Sequence, residues 1–110
     1  MPLFMCQLAY TPQSWAAQLK NPQNRAETVG PQACEAAGGK FVGGWYCFGD
    51  YDVVFIADMP DNESMSAVSL AFAAGGALKI CKTTVLMSGA EAVSSMKKAQ
   101  AVAKSYKPAL

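Results

Sequence analysis

Asp52 has the most unusual setting in the chain. It follows Gly49-Asp50-Tyr51 and lies between two runs rich in β-branched and aromatic residues, 41–48 and 53–56. Such runs suit a pleated, half-buried surface, and a Gly-Asp pair between them signals a tight hairpin. With Gly49-Asp50 as a two-residue loop, Phe48 faces Tyr51 and Cys47 faces Asp52. Side chains alternate along a strand. One face then carries Phe41, Trp45, Cys47, Asp52, Val54, Ile56 and Asp58, and the other Val42, Tyr46, Phe48, Tyr51, Val53 and Phe55. A carboxylate beside an indole and a thiol has two available roles. It can cap backbone N–H groups at the hairpin or pair with a Lys or Arg. Alternatively, desolvation next to Trp45 raises its pKa, and it acts as a base or a ligand anchor. Asp52 is thus the candidate catalytic residue. Trp45, Asp52, Cys47, Tyr10 and Thr83 form the candidate ligand-binding set, with Trp45 as an aromatic wall for a flat ligand.

Other chemistries are bounded by composition. The 110 residues include four cysteines and no histidine. Without His, Ser-His-Asp and Cys-His catalysis, His-ligated haem and mixed Cys/His zinc sites are excluded. Cys6, Cys34, Cys47 and Cys81 are widely spaced, with no C-x-x-C pair, and read as buried free thiols. Cys6, Cys81 and the methionines Met5, Met59 and Met87 make a soft-sulfur set, but Met is ordinarily core filler. Neither Gly43-Gly44 nor Gly75-Gly76 matches a phosphate-binding loop. No metal and no cofactor are expected. The formal net charge is +1 and the nine basic residues are dispersed, which excludes a nucleic-acid footprint. No stretch reaches the roughly 18 to 20 apolar residues that span a bilayer. Residues 1–5 lack a basic segment and run straight into a strand-like pattern, so a cytoplasmic protein without membrane contact is expected.

Seven elements must position these residues. Residues 3–10 read as a strand. Thr11 then caps a short helix with Pro12 at its first position, and Asn21-Pro22 interrupts it. Helical spacing resumes from about Gln23, with Ala26, Val29, Ala33 and Ala37 in phase. Gly30-Pro31 falls inside that pattern, where a proline costs about 3 kcal/mol, so a kink or break is expected. Gly38-Gly39 ends the helix, and the hairpin follows. Asp61 caps a helix with Glu63 in its first turn and Met65, Val68, Ala71 and Phe72 on its apolar stripe; Gly75-Gly76 ends it. Residues 77–87 alternate as a long strand. Ser88 caps a last helix whose stripe is Val93, Met96, Ala99, Ala103 and Tyr106.

This order is the split βαβ, ferredoxin-like arrangement within α+β proteins: βαββαβ with an extra C-terminal helix. Residues 1–88 form the ferredoxin-like domain, and residues 89–110 are a helix belonging to the same domain. Right-handed crossovers put the first strand between the third and fourth, with the second at an edge. Helices cover one sheet face only, yet both faces of the hairpin are largely apolar. An uncovered apolar face calls for a partner. Two such sheets face to face make a dimeric α+β barrel, so the expected partner is a second copy of the chain. The last helix covers a sheet edge or reaches across to that copy.

Several motifs resemble one family in the same order. Gly49-Asp50-Tyr51-Asp52-Val53-Val54 resembles the hallmark of the GYD domain family. Tyr10-Thr11, Pro22 with Arg25, Gly38-Gly39-Lys40, Pro60-Asp61-Asn62-Glu63, Gly75-Gly76 and Thr83-Thr84 match its further features, over about residues 3–92. Trp45 departs from the Tyr often found at that position, and Gly30-Pro31 from a helix that usually runs through. The resemblance implies a ferredoxin-like fold of the dimeric barrel type and no established activity. Three readings stay open: a homo-oligomeric protein binding a small apolar or aromatic ligand in the barrel or the subunit interface, a cofactor-independent monooxygenase- or isomerase-like enzyme using Asp52, and a structural assembly subunit.

Overall fold

The computed structural model describes residues 2–110. The order is β1 (Leu3–Tyr10), α1 (Pro12–Lys20), α2 (Arg25–Ala36), β2 (Lys40–Tyr46), β3 (Val53–Asp58), α3 (Asn62–Ala74), β4 (Leu78–Leu86) and α4 (Gly89–Ser105). The four strands make one antiparallel sheet in the order β2-β3-β1-β4. This is the ferredoxin-like α+β fold, with β1 central and β2 at an edge.

The ends of the helices follow from their capping residues. The Thr11 hydroxyl accepts from Ser14 N and opens α1, with Pro12 in its first turn. Asn24 and Asp61 do the same for α2 and α3. Ser88 and Glu91 close a reciprocal capping box on α4. Gly38 and Gly76, beyond the ends of α2 and α3, take φ of 85° and 75°, which an L side chain rarely adopts.

Of the kink or break expected at Gly30-Pro31 in α2, the break does not occur. The helix runs unbroken from Arg25 to Ala36 with Pro31 inside it. A proline ring ordinarily clashes with the Cβ of the preceding residue and expels it from helical geometry. Here that residue is Gly30, which has no Cβ. Gly30 also lies against the Phe41 ring, where an added Cβ would come within 2.7 Å, so packing holds this turn in place.

The hairpin keeps the expected register: Tyr46 opposes Val53, Trp45 opposes Val54, and Cys47 N donates to Asp52 O at 2.8 Å. Its ladder stops at those pairs, so residues 47–52 form the connection and Gly49 takes φ of 123° within it. The strict alternation of faces does not survive. Phe41 opposes Ala57 but Gly43 opposes Ile56, leaving Val42 as an extra residue. Likewise Tyr10 opposes Leu78 while Ala9 opposes Ile80, leaving Lys79 extra. Each irregularity swings one large apolar residue, Phe41 or Leu78, onto the helix side of the sheet, where both pack against the core.

The core lies between the sheet and α2 and α3. Phe4, Cys6, Leu8 and Tyr10 of β1 and Val53, Phe55 and Ala57 of β3 meet Ala26, Cys34, Met65 and Val68. The opposite sheet face, with Met5, Val54, Ile56, Ile80 and Leu86, has no helix over it. No residue of α4 is buried, and α4 packs on neither edge of its own sheet.

Candidate functional site

The candidate residues fall in different places. Asp52 is held at the junction of the hairpin, β1 and α1. Its Oδ2 accepts from Tyr10 N at 2.8 Å and from Trp15 Nε1 at 3.2 Å, while its own N–H donates to Leu8 O at 2.7 Å. The indole beside the carboxylate is thus Trp15 of α1, not Trp45. The Trp15 ring also meets the Tyr10 ring edge to face, with centroids 5.2 Å apart. Both interactions tie α1 to the end of β1.

Trp45 projects from edge strand β2 on the helix-free face, 58% exposed. Cys47 is exposed in the hairpin connection, and its thiol donates to Tyr51 O at 3.2 Å. Thr83 sits on β4 under α3, with its hydroxyl 3.1 Å from Ser69 Oγ and 3.8 Å from Cys6 Sγ. It borders a shallow hollow with Phe4, Met65 and Cys81. The five residues therefore do not converge on one site.

The thiols also differ among themselves. Cys6 and Cys34 are buried, Cys81 is partly so, and all four cysteines are free. Burial pushes the Cys6 thiol up to about 12, with the Thr83 hydroxyl pulling weakly the other way. Burial raises Cys34 and Cys81 as well. Among the described residues, no group of three or more Cys, Asp or Glu side chains is placed to hold a metal ion.

Tyr10 alone of the five lines a cleft of roughly 240 Å³ between α2, α3 and the sheet. The floor is Leu8, Val53, Phe55 and Leu78. Val29 and Gly30 of α2 make one wall, and Ala71 and Phe72 of α3 the other. Apart from Tyr10, its only ionisable residue is Arg25, the first residue of α2. Burial, and secondarily Tyr46, push the Tyr10 phenol above its ordinary value, and the nearby Arg25 guanidinium pulls against them.

Tyr46 fixes Arg25 in place. Its hydroxyl accepts from Arg25 N at 2.9 Å and Ala26 N at 3.4 Å, and donates to Gln23 O at 3.4 Å. Two N–H groups that a helix start leaves unsatisfied are thereby used by a side chain from β2. By sequence, Arg25 reads as half of a surface or interhelix ion pair, or alternatively as an anion clamp near the barrel mouth; the Tyr46 clamp on its backbone is not legible there. Only the alternation that put Tyr46 on the face opposite Trp45 hinted at it. The arrangement offers an apolar slot with one cation and one phenol at its end. It has no carboxylate–hydroxyl pair for acid–base chemistry.

Among the described residues, no helix is long and apolar enough to cross a membrane. No curated protein matches the chain. The sequence profile of the GYD domain matches residues 4–103, from the second residue of β1 almost to the end of α4. With that match covering nearly the whole length, and with the ferredoxin-like topology around the Gly49-Asp50-Tyr51-Asp52 hairpin, the chain belongs to the GYD domain family.

Proposed function

We propose that the protein binds a small apolar or aromatic molecule and works as a homo-oligomer. The observation that carries this reading is the cleft between α2, α3 and the sheet. It is concave, mostly apolar and equipped with few polar groups, as small-molecule sites generally are. It lies on the helix side of a single chain, so the ligand occupies that slot and not the space between two sheets. The second copy covers the helix-free sheet face, where Met5, Val54, Ile56, Ile80 and Trp45 supply apolar surface around Gln7, Lys82 and Thr84, and an uncovered apolar sheet face marks an interface. Four unpaired cysteines suit a reducing compartment such as the cytoplasm.

Native mass spectrometry of the purified protein tests both halves. The expected spectrum shows an even-numbered assembly and, on gentle activation, release of a small molecule in up to one copy per chain. Monomers alone at micromolar concentration count against the assembly. An empty protein that also takes up no small aromatic compound counts against the ligand.

A further inference from the structure

The end of the cleft is built differently from its walls. Floor and walls are apolar, and the one formal charge among the lining residues is the Arg25 guanidinium. No carboxylate among the described residues lies within ion-pairing distance of it. The nearest acidic residue in sequence, Glu27, is engaged elsewhere, accepting from Asn24 Nδ2 at 3.0 Å. Residues two apart on a helix also do not face each other. Asp52 is occupied by Tyr10 N and Trp15 Nε1.

The first turn of α2 is held by the Tyr46 hydroxyl on Arg25 N and Ala26 N and by the Asn24 cap on Glu27 N. The Arg25 guanidinium is therefore presented from an anchored position, next to the Tyr10 phenol. A planar cation with paired N–H donors matches a carboxylate in a way that a point charge does not.

Building on the ligand-binding reading above, we infer that the ligand is an amphipathic anion: an apolar or aromatic body in the cleft and a carboxylate on Arg25, with the Tyr10 hydroxyl as a second donor. A neutral ligand of the same shape would fill the slot and leave the cation without its counter-charge.

The test uses the full-length protein and two probes of equal shape, 1-naphthoate and the neutral 1-naphthamide. Both are titrated while ¹H–¹⁵N spectra are followed. The parent protein is expected to bind naphthoate about tenfold or more tightly than naphthamide, the usual scale of a charge-assisted hydrogen bond. Added salt should narrow that margin. The largest shifts are expected at Val29, Ala71, Phe72 and Leu78. Arg25→Gln should bring the two affinities together, and Arg25→Lys should retain part of the preference. Because the Arg25 side chain is exposed and helix capping uses only its backbone, neither variant threatens the fold.

Equal affinities in the parent would overturn the anionic ligand while leaving the cleft as a binding site. Ala71→Trp, which fills the slot from α3, should abolish binding of both probes. Naphthamide binding that survives Ala71→Trp would overturn the cleft reading itself. No binding of either probe at millimolar concentration would overturn both.

Discussion

Asp52 gains its importance from two N–H groups. Removing its carboxylate leaves Tyr10 N–H and the Trp15 indole N–H without their acceptor. Losing charge-assisted hydrogen bonds at a partly buried site costs about 2 kcal/mol. Asp52→Ala should therefore lower stability in chemical denaturation by about that amount. In a Trp45→Phe background, which leaves Trp15 as the only tryptophan, its emission should shift to the red as the indole loosens. Unchanged stability and emission would show that the carboxylate is dispensable for folding.

Cys6 makes a second prediction at this scale. Its thiol ionises near the ordinary value of 9.0 in the unfolded chain but only at about 12 in the folded one. Above pH 9 the unfolded state has lost a proton that the native state still holds, so stability falls as pH rises from about 9 towards 12. The slope from one such group reaches about 1.4 kcal/mol per pH unit. Below pH 9 the contribution is fully present. Urea unfolding between pH 8 and 10.5 should show this decline, and Cys6→Ala should flatten it in part. The remainder belongs to Cys34, Cys81 and the Tyr10 phenol, which shift in the same direction.

Among the elements, β2 is the one most shaped by its neighbours. The Phe41 ring is wedged between Gly30 of α2 and Gly44 of its own strand. Added Cβ atoms at these positions would approach it to 2.7 Å and 2.6 Å. The ring also stacks at a tilt on Phe55, with centroids 5.8 Å apart, so it has little room to retreat. Gly44→Ala should then cost about 1 to 3 kcal/mol through overpacking. Gly43→Ala, whose nearest neighbour is the exposed Trp45 ring at 3.0 Å, should change stability by less than about 0.5 kcal/mol. Thermal unfolding of the two variants side by side checks the contrast. Recovery of part of the loss in a Gly44→Ala/Phe41→Leu double variant would tie the cost to that ring.

For the whole molecule, the dominant fact is unburied apolar surface. The Cα radius of gyration is 17.4 Å, against about 13 Å for a compact chain of this length, because α4 extends away from the sheet. Val93, Met96, Val102 and Tyr106 of the C-terminal segment are each at least half exposed. Helices in proteins draw most of their stability from packing an apolar face, and α4 buries none of its residues here. These features, with the open sheet face, underlie the proposed self-association. Placing a charge on that face should disrupt it: Ile80→Lys combined with Trp45→Ser should shift the species seen by light scattering to monomers. Amide exchange in α4 should then accelerate relative to the assembled parent. A parent protein that is already monomeric, or an assembly that the double variant does not touch, would contradict the open face as the interface.

The order of elements, the caps at Thr11, Asp61 and Ser88, the hairpin register and the family are all legible along the chain. Those features depend on local chemistry: hydroxyls and carboxylates that reach N–H groups three residues away, a Gly-Asp turn, and the alternation of side chains. Where period-two counting stops is not legible in the same way. The extra residues at Val42 and Lys79 exist because Phe41 and Leu78 reach the core only if the strands slip, and that preference belongs to helices distant in sequence. The uninterrupted helix through Pro31 likewise rests on contact with Phe41 across the layer. The same limit applied to Asp52. Its setting left capping, ion pairing and a ligand-facing role open, and the capping of Tyr10 N and the choice of Trp15 over Trp45 depended on how α1 folds back over β1. The cleft lined by Arg25 is made by five elements that meet only in space, so no single stretch of the chain records it.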